Sequence, residues 1–100
     1  MTFRIERTER AGADLLDIWL AIALDDQATA DRHLRHLEQA IAGLADFARI
    51  GPARDDIRPG IRTIRRAPYL IFYLVDDECR TIRIVPVVDA RRDFQALFHQ

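Results

Sequence analysis

Seven consecutive apolar or aromatic residues, Tyr69-Leu70-Ile71-Phe72-Tyr73-Leu74-Val75, constrain this 100-residue chain more than any other stretch. They lie between Pro68 and the acidic run Asp76-Asp77-Glu78, and β-branched and aromatic types dominate them. The run predicts a central strand buried on both faces. A second apolar stretch, Thr81 to Val88, follows after five residues, a spacing that predicts an antiparallel hairpin with a polar loop. Ile61 to Arg66 alternates just upstream and supplies a third strand, so the C-terminal half reads as an antiparallel meander. Three strands with one covered face are about the smallest stable sheet, and everything before Gly51 is expected to supply the cover. Pro86 has no N–H to donate, so its strand is expected at an edge or bulged there.

Thr2 to Thr8 alternates Phe3 and Ile5 with charged residues, as a short strand joining the edge of the meander would. The period then changes. From Glu9 to about Leu24, with Thr8 as N-cap, Leu15, Ile18, Trp19 and Ile22 recur at helical spacing, and Arg10, Asp14 and Asp17 mark the wet side. Asp25, Asp26 or Thr29 caps a second helix of about eighteen residues with the stripe Ala30, Leu34, Leu37, Ile41 and Leu44. Asp31, four before Arg35, is expected to support that helix from its surface, and Trp19 and Phe47 to plug the ends of the hairpin. Ala48 to Gly60 is a charged connection bounded by Gly51-Pro52 and Pro59-Gly60. Phe94, Leu97 and Phe98 predict a short helical tail. The expected fold is α+β, one domain over 1–100: a small antiparallel sheet, β-α-α-β-β-β, covered by a helix hairpin.

At this length a single core needs no staple, and one cysteine excludes an internal disulfide. There is no charged-then-apolar leader and no apolar run near eighteen residues, so a cytoplasmic protein that engages no membrane is expected. All fifteen basic residues are Arg, which suits planar, bidentate contacts. Residues 1–53 carry six Arg against nine acids, a balance of −3; residues 54–100 carry nine against seven, a balance of +2. A pI near 6.3 argues against affinity built on neutralising many phosphates, so direct sequence-specific nucleic-acid binding is not expected.

Gly51, Arg54, Asp56, Ile57, Pro59, Gly60, Ile61 and Arg62 resemble the Gly-x-x-Arg-x-acid-Leu-x-Pro-Gly-Leu-Arg signature of the RelE/ParE toxin superfamily, on its ParE side. Ala13-x-x-Leu16 to Trp19, Ala30-Asp31-Arg32 with Leu34, Tyr69 to Tyr73, and Arg92-Asp93 followed by Leu97-Phe98 are similar to further family segments. Two positions depart from the family pattern Val-Leu-His-Gly-Ala-Arg-Asp: Asp89 stands for His and Ala90 for Gly. The resemblance implies the toxin of a type II toxin–antitoxin system, forming a hetero-oligomer with a cognate ParD-like antitoxin of ribbon-helix-helix type. It also implies DNA gyrase as the ParE-side target, trapped without catalysis, with a RelE-like ribosome-dependent mRNA endoribonuclease as the alternative.

Cleavage by a neighbouring 2′-hydroxyl needs a base, an acid and a cation cluster. Arg62, Arg65, Arg66 and Arg83 supply the cations if alternate residues of paired strands converge on one face. Only Tyr69, Tyr73 and His99 carry suitable protons, and Tyr73 reads better as a core aromatic, so no catalytic residue is assigned. His33 and His36 lack a third ligand at matching spacing, Cys79 falls at a hairpin tip, and no glycine-rich phosphate loop exists, so neither metal nor cofactor is expected. The target surface is expected from Arg58, Arg62, Arg65, Arg66, Arg83, Asp89, Arg91 and Arg92, whose bland alternative is a solvated sheet edge. The helix hairpin carries more apolar area than a small sheet hides, which signals a partner. Antitoxin contacts are expected from Leu16, Trp19, Leu20, Leu34, Leu37, Tyr69, Tyr73, Phe94 and Phe98.

Overall fold

A computed structural model describes residues 2–92. The expected tail, with Phe94, Leu97 and Phe98, lies outside the described residues, as does Asp93. In chain order the elements are β1 (Arg4–Arg7), α1 (Glu9–Ala23), α2 (Gln27–Gly43), β2 (Arg62–Arg66), β3 (Tyr69–Asp76) and β4 (Thr81–Asp89). They form one four-stranded sheet, ordered β1-β4-β3-β2, with the helices on one face.

Thr8 turns the chain from sheet to helix. Its N–H and hydroxyl both donate to the Ile84 carbonyl, and its Oγ1 accepts from the Ala11 N–H at 3.1 Å, capping α1. Asp26 caps α2 by accepting from the Thr29 N–H. Trp19 is half-buried and its indole N–H donates to Asp31 at 2.8 Å, so Asp31 ties the two helices together instead of supporting Arg35. Phe47 does not plug the hairpin; it is 65% exposed on the turn beyond α2.

The sheet is mixed, which corrects the antiparallel expectation. β1 pairs with β4 in parallel, Arg4 with Thr81 through Arg7 with Ile84, while the other two pairings are antiparallel. The side that β1 takes follows from the opposite edge. There Ala53 bridges Arg62, and the Thr63 N–H donates to the Pro52 carbonyl, so the first part of β2 is already paired and β1 takes the free side of β4. Pro86 is accommodated by a bulge: Ile71 pairs with Val87 and Tyr73 with Ile84, leaving Val85 and Pro86 opposite Phe72. Past the end of β1, the Val87 N–H is satisfied by the Asp14 carboxylate at 3.0 Å. Asp14 thus faces the sheet edge, its side chain only 13% exposed, and not the solvent expected from helical periodicity.

The main core lies between helices and sheet, where Leu15, Leu37, Ile41 and Leu44 meet Ile64, Ile71, Tyr73, Ile82 and Ile84. A second cluster lies on the other face, Ile57 and Ile61 against Phe72, Val85 and Val88. The residues before Gly51 therefore supply one cover, and the connection after it supplies another.

Candidate binding surface

The segment carrying the family signature is a clasp closed on the edge of β2. Gly51 is pressed so tightly that a Cβ would meet the Thr63 carbonyl oxygen, with the Tyr73 hydroxyl 2.8 Å away. Its N–H donates to that hydroxyl at 3.0 Å, and its carbonyl accepts from Arg62 Nη1 at 2.8 Å. Arg54 makes a two-point ion pair with Asp56, both contacts 3.0 Å, and the Asp55 carboxylate accepts from the Gly60 N–H at 2.8 Å. Gly60 has φ +81°, a left-handed conformation that favours glycine and lets the chain turn back into β2. Gly51, Arg54, Asp56, Ile57, Gly60, Ile61 and Arg62 of the signature thus each have a local structural use.

The expected cation cluster is divided by strand register. Arg62 pairs with Tyr73 and Arg66 with Tyr69, on the helix side; Arg65 pairs with Leu70 and Arg83 with Leu74, on the other. Arg62 is spent on Gly51, and Arg83 lies 3.6 Å from Glu6. Arg58 is exposed in the clasp. Arg65 and Arg66, both exposed, meet no carboxylate among the described residues.

Asp89, Arg91 and Arg92 come together where β4 ends. Asp89 accepts from the Arg91 guanidinium at 2.6 and 2.9 Å and from the Arg91 N–H at 2.9 Å, which holds its carboxyl down at about 2. With Asp14, Asp17, Ile18 and Tyr69 these residues line a cavity of about 380 Å³ between α1 and the sheet end. Burial pushes both Tyr69 and Tyr73 phenols above their ordinary range, and Tyr73 is fully enclosed.

Of the expected antitoxin contacts, Leu16 and Leu20 are exposed on α1, at 56% and 47%, and Leu24 extends their line at the same spacing of four. Trp19 and Leu34 are half-buried. Leu37 and Tyr73 are enclosed in the core, at 1% and 0% exposure, and Tyr69 is buried except for its approach to the cavities around it. Ile50 is a further exposed apolar residue, and Phe47, expected as a plug, is another; both lie beyond the end of α2, where helical periodicity gives no face.

The sequence model described as the ParE toxin of type II toxin–antitoxin system, parDE, matches residues 5–94. The chain belongs to the ParE toxin family. Toxin ParE1 of Mycobacterium tuberculosis is 42% identical over 64 residues, which is 64% of each chain, so this chain covers somewhat less than two thirds of that relative's length. Toxin ParE3 of Caulobacter vibrioides is 28% identical over 94 residues, 93% of this chain and 92% of its own. Among solved structures, a chain of the chromosomal ParDE system from P. aeruginosa superposes with a TM-score of 0.73 at 23% identity, over 88% of this chain and 96% of that one. A chain of the RelBE2 toxin–antitoxin complex of M. tuberculosis gives 0.67 at 26% identity, over 89% and 99%. The ParE assignment and the RelE/ParE fold thus agree with the clasp residues. No helix among the described residues is long and apolar enough to cross a membrane.

Proposed function

We propose that this ParE-family protein is a cytoplasmic toxin that inhibits DNA gyrase by binding it, and that a cognate ParD-like antitoxin of ribbon-helix-helix type neutralises it in a hetero-oligomer. The observation that carries this reading is the division of labour among the arginines. Arg62 closes the clasp, whereas Arg65 and Arg66 stand exposed without carboxylate partners among the described residues, a surface suited to an acidic partner. The line Leu16, Leu20, Leu24 offers an antitoxin helix apolar contacts at matching spacing.

The endoribonuclease reading needs a phenol with access to a phosphate and to a cluster of cations. Tyr73 is enclosed with its hydroxyl engaged by Gly51, and the four arginines are split over two faces, which favours binding over cleavage. Expression of the protein alone in a bacterial host tests the choice. Gyrase poisoning gives filamented cells with broken DNA; translation arrest with cut messages and intact DNA would replace it with the ribonuclease reading.

A further inference from the structure

A groove of about 450 Å³ runs between α2 and the turn joining β2 to β3, separate from the Leu16, Leu20, Leu24 line. Its walls are His33, His36 and Gln39 from α2, Arg66 and Ala67 from the turn, and Tyr69; Leu37 and Ala40 form an apolar floor. The His33 ring stands edge-on to Tyr69, centroids 6.1 Å apart, which fixes the back wall. Among the described residues no Asp or Glu lines it. Arg66 uses one nitrogen on the Arg65 carbonyl, at 2.7 Å, and keeps the rest of its fork for another acceptor.

The opposite end of β3, about 23 Å away by strand rise, has the reverse character. There Asp76, Asp77 and Glu78 share a groove with Arg4 and Arg83, and Glu6 and Asp77 neutralise Arg83 and Arg49. Arginines near that end are consumed internally. Arg66 meets no carboxylate among the described residues, and it stands beside two imidazoles above a buried apolar floor.

We propose that the α2/turn groove binds a carboxylate-bearing segment of a protein partner, an acidic side chain meeting Arg66 and His36 while a neighbouring apolar side chain packs on the exposed Ala67, above the buried Leu37 and Ala40. The half-apolar lining suits a peptide. Free phosphate would leave the exposed apolar Ala67 surface unused. The inference rests on the reading above only in that a type II toxin has a protein partner to supply the segment.

The test titrates the full-length isotope-labelled toxin with a capped hexapeptide of alternating glutamate and leucine, followed by side-chain NMR of His33, His36, Tyr69 and Arg66. Shifts confined to these residues, weakened about tenfold in Arg66→Gln and unchanged in Arg83→Gln, are the expected result. His36→Gln, a surface change on α2, gives a second variant should Arg66→Gln disturb the turn. Equal binding of the glutamine–leucine peptide, or shifts spread over all exposed arginines, would overturn the proposal. So would inorganic phosphate producing the same shifts at lower concentration, which would mark a phosphate site. The peptide result stands or falls without gyrase, so it separates failure of this groove from failure of the proposed cellular target.

Discussion

Arg62 and Arg66 lie on the same side of the same strand, four residues apart, and do opposite things. Arg62 is half-buried where the clasp covers the β2 edge, and its guanidinium is tied to Gly51, whose N–H is tied in turn to the enclosed Tyr73 hydroxyl. Arg66 stands past the end of the clasp, exposed beside the Ala67–Pro68 turn. The same residue type is a structural bolt in one region and an available ligand in the other. What separates them is whether a neighbouring segment has closed the edge. A match to the signature therefore identifies how this chain folds, and function must be sought in the arginines the signature leaves over.

The sharpest way to break this contrast is to force the clasp open. Gly51→Ala is expected to cost about 3 kcal/mol or more, because the added methyl meets backbone as well as the Tyr73 hydroxyl; urea unfolding measures it, and a loss below about 1 kcal/mol would mean the edge is loosely held. Tyr73→Phe removes the acceptor from the buried Gly51 N–H and should cost about 1–3 kcal/mol. Arg62→Ala is expected to destabilise by about 1–2 kcal/mol and Arg66→Ala by less than about 0.5. Equal effects of that pair in thermal unfolding would erase the distinction.

The smallest expected effect is at Asp89. Its folded pKa, about 2, lies below the unfolded carboxylate value of about 3.9, so its contribution is present above pH 4 and is lost as pH falls through 2. The stability gap between wild type and Asp89→Asn should therefore be largest near neutrality and shrink below pH 4. A gap that widened on acidification would contradict the Asp89–Arg91 pairing.

Much of this fold was legible in the residues. The run Tyr69 to Val75 and the Thr8 cap follow from local chemistry and are present, and of the two expectations for Pro86, an edge strand or a bulge, the structure takes the bulge. Helical periodicity places Asp14 on the wet side because it sees only the helix; the carboxylate satisfies a strand N–H exposed by the early end of β1, a non-local need. Ile57 lies in the charged connection, where a single apolar residue carries no strand or helix period, and Ile61 reads only as the start of a strand, so neither signals the second core cluster the two build on the far face. The surface was less legible than the core. Alternation places Arg62 and Arg66 alike, and only the clasp, closing from eleven residues upstream at Gly51, makes them differ.

The most direct test of the account follows supercoiling of relaxed plasmid by purified gyrase as the purified toxin is added, with message integrity on purified ribosomes followed in parallel. Supercoiling is expected to stop and cleaved plasmid to accumulate while the message stays whole. Undisturbed supercoiling alongside a cut message would contradict it.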